Sequence, residues 1–291
     1  MDGVAGGSAV LATGTAAGRI TDGAAPLVGR HDALRVFGEA LDASNAGSSQ
    51  FLQLVGEPGA GKTRLLGELA AAAALRGLPA LWGRAAEFEQ QMPFGAVVDA
   101  LDDHVEASLP GLAERLGRDT FGLLSTVLPS ARAAAPGQDH PAAPGPGSDL
   151  TGRLQVYRGM RRLLEDLADP HGLALILDDV HWADNASVEL LDYLVRHPPR
   201  GRVLVAIAYR PAQASARLAA LLGSAVAHGR EVPVGPLTFA EATELLGPGM
   251  SRSRCQVLHQ ASGGNPFYLE ALARMDQQAQ LTTGGSDGSG L

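Results

Sequence analysis

The chain has 291 residues and a formal net charge of −8 at pH 7, from 23 Lys plus Arg against 31 Asp plus Glu. That acidic balance, with a sequence pI near 5.5, argues against gripping a nucleic-acid backbone through bulk electrostatics. Hydrophobic residues make up 45%, enough for a real core, while no apolar run approaches the roughly 18 residues of a membrane-spanning helix.

Residues 1–24, rich in Gly, Ala and Thr, carry no apolar period and read as a disordered leader. The first Arg is Arg19, and glycines interrupt the early apolar residues, so no signal peptide is read and a cytoplasmic location is expected. "FLQLV" (51–55) reads as a strand, Lys62–Arg76 as a helix and "PALWGRA" (79–85) as a second strand. Residues 131–150, full of Pro, Gly and Ala, read as a long surface loop inside the domain. Over 153–167, Leu154, Tyr157, Met160, Leu164 and Leu167 recur at helical spacing. Arg158, Arg161 and Arg162 fall on this helix and read as its solvated face.

"LALILD" (173–178) is the continuous apolar run of a central parallel strand. Ser187–Arg196 reads as helical, "RVLVAIAY" (202–209) as another buried strand and "REVPVGPL" (230–237) as a shorter edge strand. After Leu237 the strand patterns stop. "TFAEATELL" (238–246) and residues 254–275 read as helical, with Thr238 as N-cap and Glu241 three residues on, a capping box. Cys255, the single cysteine, rules out an internal disulfide and a cysteine metal cluster, and reads as a small buried hydrophobe. The pattern predicts an α/β domain with a parallel sheet over 25–236, a small helical lid over 237–276 and a disordered tail over 277–291.

"GEPGAGKT" (56–63) carries the first chemistry. Gly56, Gly61, Lys62 and Thr63 fit G-x-x-x-x-G-K-[ST], with a strand before and a helix after. The glycines let backbone N–H groups point at phosphate oxygens, and the helix N-terminus adds partial positive charge. Lys62 is the only lysine of the chain. Its compact ammonium can bridge β- and γ-phosphates, where the bulkier guanidinium fork of arginine directs its donors differently. Thr63 supplies a hydroxyl for Mg²⁺.

The second half of such a site is an acidic residue ending a buried strand, and "LALILDDVHWAD" supplies it. Asp178 is placed to hold Mg²⁺. Asp179 follows and can orient or deprotonate the attacking water, or else cap the next turn. Over a hundred residues part Lys62 from Asp178, which suits the P-loop NTPase class (ASCE, AAA-like) whose sheet inserts a strand between loop strand and acidic strand. With no second lysine, an Asn/Thr-Lys-x-Asp guanine motif is absent, so ATP is favoured over GTP. Arg210, at the end of "AIAYRP", falls at the phosphate edge of the sheet and can sense the γ-phosphate, or make a surface salt bridge instead.

"PLVGRHDAL", "GEPGAGKTRLL", "LILDDVHWADNAS", "AYRP" and "SGGNPFYLEAL" occur in the order of one family. From about Pro26 to about Met275 the chain resembles the N-terminal ATPase module of the large ATP-binding LuxR-type transcription regulators, STAND-class relatives of AAA+ proteins. The resemblance implies that Val28, Gly29 and Arg30 lie by the nucleotide, with the loop Gly56, Glu57, Pro58, Gly59, Ala60, Gly61, Lys62, Thr63 and Arg64. It implies that the turn of Gly264, Asn265 and Pro266 packs near the adenine. The family often reads "GRE" where His31 follows Arg30 here. Its members continue to a C-terminal helix-turn-helix, so this sequence resembles a truncated product, an excised module or a stand-alone ATPase.

Two function classes stay open: a nucleotide-dependent switch with slow turnover, which the resemblance favours, and an AAA-like catalytic ATPase with steady turnover. Either implies ATP, ADP and Mg²⁺ as ligands and allows self-association or a regulatory protein partner. Direct nucleic-acid binding by this chain and a membrane location are not expected, and no acceptor pocket argues for a small-molecule kinase.

Overall fold

The computed structural model describes residues 27–134, 150–225 and 229–284. The leader expected over 1–24, most of the loop expected over 131–150 and the last residues of the tail lie outside the described residues. Helix α1 (His31–Asn45) precedes strand β1 (Gln50–Val55), and α2 (Lys62–Leu75) leads to β2 (Ala80–Arg84). Then come α3 (Gly95–Leu116), α4 (Arg118–Leu124), α5 (Pro129–Ala133) and α6 (Leu150–Leu167). Strand β3 (Leu173–Asp178), α7 (Asn185–Arg196), β4 (Val203–Tyr209), α8 (Ala216–Ala225) and β5 (Arg230–Pro233) follow. Three helices, α9 (Phe239–Leu246), α10 (Arg252–Ser262) and α11 (Pro266–Gly284), pack together after them.

The periodicity reading assigns no element to 95–128, where α3 and α4 lie. Pro110 and Gly111 depart from helical angles inside α3 and split its apolar stripe into two short pieces. The stretch 254–275 is two helices rather than one, because Gly263 and Gly264 both take positive φ and turn the chain. Helix α11 runs on to Gly284, past the boundary at 276, since no Gly or Pro interrupts the sequence after Pro266 until then.

Among the described residues the strands form one sheet in the order β2-β3-β4-β1-β5, with every pairing parallel. Strand β4 is therefore the one inserted between the loop strand β1 and the acidic strand β3. Side chains alternate along β3 and β4. Ala174, Ile176, Leu204, Ala206 and Ala208 face α1 and α2, with Phe37, Leu65 and Leu69 packed on them. Leu173, Leu175, Leu177, Val203, Val205 and Ile207 face the other side, covered by Phe94, Leu101, Met160, Leu164, Leu190 and Leu218. Both faces are thus buried, and the strands read as unbroken apolar runs. A separate small core of Leu237, Ala242, Leu258, Leu269 and Ala273 holds α9, α10 and α11 together.

Parallel strands share one carboxyl edge, and residues at or just after the ends of β1, β2, β3 and β4 line the site there. One close approach fixes part of that edge. A Cβ on Gly83 would stand 2.0 Å from the carbonyl oxygen of Ala96, so only glycine lets α3 seat against β2 one residue before Arg84.

Candidate functional site

The loop between β1 and α2 turns at Gly59 (φ 76°) and Gly61 (φ 97°), left-handed angles that a side chain resists. The wrap brings the ammonium of Lys62 back onto its own loop. Nζ donates to the carbonyl oxygens of Gly56 at 2.8 Å and Glu57 at 3.0 Å. The side chain is buried, and that burial lowers its pKa, assisted by the charge of Arg210 and opposed by Asp179, Asp178 and Glu57. A phosphate oxyanion arriving here would reverse the balance by giving the ammonium a full negative partner.

Thr63 Oγ1 donates to Asp178 Oδ2 at 2.6 Å. Asp178 ends β3, is fully buried, and its other oxygen accepts the backbone N–H of Asp179 at 2.8 Å. Burial raises its carboxyl pKa, and the Thr63 bond works against that. Hydroxyl and carboxylate thus stand paired.

Asp179 departs from ordinary geometry. Its φ is 52°, rare for a residue with a side chain, which swings its carboxylate out of the strand line and into the cleft. It makes no side-chain cap on the turn it precedes. Instead Oδ2 accepts from Arg84 Nη2 at 2.6 Å and from Arg84 Nε at 3.0 Å. On the other oxygen, Arg210 Nη2 stands at 3.8 Å and His181 Nε2 at 3.9 Å. The bond to Asp179 raises the pKa of Arg84. His181 is buried with neither ring nitrogen hydrogen-bonded, and burial depresses its pKa to about 4, so it is neutral at pH 7. Arg210 donates from Nη1 to Gln213 Oε1 at 3.3 Å, while its Nε is buried without a partner.

The turn after β3 is held by Asp184, whose carboxylate caps α7 through the N–H groups of Ala186 and Ser187, both at 2.9 Å. The same carboxylate accepts from Phe94 N at 3.0 Å and Gly95 N at 3.2 Å, tying the start of α3 to the start of α7.

Two further segments close over the loop. Ahead of α1, Arg30 Nη2 donates to Ala60 O at 3.0 Å. Burial lowers the Arg30 pKa, and the charge of Glu241 from α9 opposes this. Glu241 also lies against Gly29, so the acidic neighbour of Arg30 comes from the helical cluster and not from position 31. From the start of α11, Asn265 Nδ2 donates to Pro58 O at 2.7 Å and Phe267 N to Gly59 O at 3.4 Å.

A cleft of about 410 Å³ lies among these groups, within the size range of small-molecule sites. Its walls include Val28, Arg30, Gly59, Ala60, Gly61, Lys62, Thr63, Arg64, Asp179, Arg210 and Pro266, which the sequence pointed to. Arg84, Leu27, Leu237, Leu245, Phe267 and Glu270 line it as well, and motif reading misses them. Gly56, Glu57 and Pro58 form the loop beneath, and Asp178 lies behind Thr63. The polar end holds Lys62, Thr63, Arg84, Asp179 and Arg210; the apolar residues come from the segment before α1 and from the helical cluster.

A family model described as the AAA ATPase domain matches residues 26–207, more than half of the chain. The chain belongs to that family. It is also 25% identical over 280 residues to an uncharacterized protein of Rhizobium meliloti (strain 1021). That match covers 87% of this chain and 25% of the other, so the chain spans about a quarter of this relative's length. Among solved structures, the ORC2 protein of Aeropyrum pernix, in its ADPNP and ADP complexes, gives a TM-score of 0.51 at 14% identity, covering 91% of this chain and 66% of that one. A RuvB mutant of Thermotoga maritima gives 0.44 at 15% identity, over 85% and 61%. At such identity the ORC2 likeness speaks to the fold. No described helix is long and apolar enough to cross a membrane.

Proposed function

We propose that this AAA ATPase domain is the ATP-binding, slowly hydrolysing regulatory module of a LuxR-type transcription regulator, acting as a nucleotide-dependent switch. The observation that carries the reading is the grip of Arg84 on Asp179 at 2.6 Å and 3.0 Å. Asp179 is the candidate base for the attacking water, and its bonded oxygen is occupied by a guanidinium. A cleft built this way holds nucleotide readily and turns it over reluctantly.

In the step we infer, Asp179 takes a proton from water as the water oxygen bonds to the γ-phosphorus. The bond from that phosphorus to the β,γ-bridging oxygen breaks, leaving ADP and inorganic phosphate. Lys62 and Arg210 meet the charge on the phosphoryl oxygens. Thr63 and Asp178 fit Mg²⁺, since one hydroxyl and one carboxylate leave the remaining positions to phosphate and water. Bound there, the ion would neutralise phosphate charge. Arg30, Asn265 and Pro266 serve as contacts through which α9–α11, acting as a lid, register the nucleotide. A second copy or a regulatory protein would read the resulting difference.

A steady catalytic ATPase is the second reading, favoured by Arg210 standing ready beside Asp179 in the same cleft. A single-turnover time course of Mg·ATP on the purified chain, with Lys62→Ala as the blank, tests both. ATP held intact for many minutes supports the switch. Prompt conversion with release of ADP overturns it in favour of the catalytic reading.

A further inference from the structure

The second cavity of note shares no residue with the nucleotide cleft. It is a groove of about 820 Å³, twice the volume of the cleft, over the outer face of α6 between α4 and α7. Its floor carries Arg158, Arg161 and Arg162, with Gln155 beside them, while Thr120 stands on one wall and Tyr193 on the other.

The groove's arginines have little carboxylate compensation. Across an acidic protein, Arg35, Arg84, Arg115, Arg153 and Arg196 each have a carboxylate oxygen within 3.1 Å. Among the described residues, Arg158 and Arg162 form no salt bridge, and Arg162 donates only to the neutral Thr120 Oγ1 at 3.3 Å. Arg161 Nε, buried, faces Glu165 Oε1 at 3.7 Å, an ion pair longer than a hydrogen bond. Glu165 meanwhile accepts the backbone N–H of Arg200 at 2.9 Å. One carboxylate, Asp119, lines the wall opposite. A concave site with three guanidiniums and neutral donors suits a tetrahedral oxyanion, because the planar fork places two parallel N–H bonds on one phosphate.

We infer that this groove is a second binding site, for a small phosphorylated molecule, separate from the nucleotide cleft. Its concavity and its neutral partners Gln155, Thr120 and Tyr193 favour a compact ligand over an extended polyanion. Helices α6 and α7 bracket β3 in the chain, so the groove lies on the two helices joined to the ends of the strand that bears Asp178.

The test is isothermal titration of the full chain, saturated with Mg·ADP, using inorganic phosphate as the probe and chloride at equal ionic strength as the control. Saturable phosphate binding is expected, weakened at least about tenfold in Arg158→Gln/Arg162→Gln and unchanged in Lys62→Ala. Arg158→Lys/Arg162→Lys keeps the charge and loses the fork, so it should weaken binding too, with circular dichroism confirming the fold of both variants. No saturable binding, equal affinity in either double variant, or loss in Lys62→Ala would overturn the site.

Discussion

Arg84 and Asp179 meet side to side across neighbouring strands, two guanidinium nitrogens on one carboxylate oxygen. Their meeting follows from sheet register. Arg84 pairs with Asp178 in the parallel β2–β3 ladder, so a side chain at the end of β2 reaches the residue just after β3. Arg84 is 62% exposed while Asp179 is 9% exposed, so the arginine is the partner free to leave. A partly exposed pair contributes up to about 1 kcal/mol. Arg84→Ala should therefore raise the single-turnover rate about two- to fivefold, with ATP affinity little changed. A tenfold slower rate would show that Arg84 assists the reaction and does not restrain it.

Variants of Lys62 and Asp179 test binding and chemistry separately. Lys62→Ala removes the ammonium that must trade its two loop carbonyls for phosphate, and ATP should bind about a hundredfold more weakly. Asp179→Asn keeps shape and loses the base, so ATP affinity should hold within about threefold while hydrolysis slows about a hundredfold or more. Titration with a fluorescent ATP analogue and a quench time course measure the two effects. Normal turnover in the asparagine variant would return Asp179 to a structural role.

The fold was legible where local pattern and chemistry coincide. Strand β3 over Leu173–Asp178 and the capping box of Thr238 and Glu241 stand as the sequence predicts. Both depend on neighbours in the chain. The loop, Asp178, Asp179 and Arg210 converge because parallel strands bring their carboxyl ends to one edge. What escaped notice depends on register or on docking. Arg84 ends a recognisable strand, but its partner is set by β2 lying beside β3. Phe267 and Glu270 enter the cleft only because α11 packs against the loop. A strand ending in arginine one pairing away from the acidic strand was the signal available for Arg84.

Asn265 is the hook of the helical cluster on the loop. Its amide donates to Pro58 O at 2.7 Å, and its Oδ1 accepts Phe267 N at 3.1 Å, fixing the turn that starts α11. Gly59 accommodates it, since a Cβ there would stand 2.7 Å from Asn265 Oδ1. Asn265→Ala should loosen the closure and speed release of a fluorescent ADP analogue about three- to tenfold, the effect of one or two hydrogen bonds. Unchanged stopped-flow release would mean that the cluster does not gate the nucleotide.

His181 predicts a pH dependence of stability with a definite sign. Burial, helped by the charges of Arg210 and Lys62 and opposed by Asp179, holds its pKa near 4, against an ordinary 6.5. Between those values the unfolded chain binds a proton that the folded chain refuses. This contribution is therefore whole above about pH 6.5 and is lost progressively as pH falls toward 4. By pH 5 it amounts to about 1–2 kcal/mol. His104, also depressed by burial, acts in the same direction, so the contribution of His181 is read by difference. His181→Phe keeps a ring in the site and removes the titration. Urea unfolding at pH 7 and pH 5 should show a smaller acid loss in the variant, by about 1–2 kcal/mol. An equal loss in both proteins would place the proton uptake elsewhere and leave His181 as packing behind Asp179.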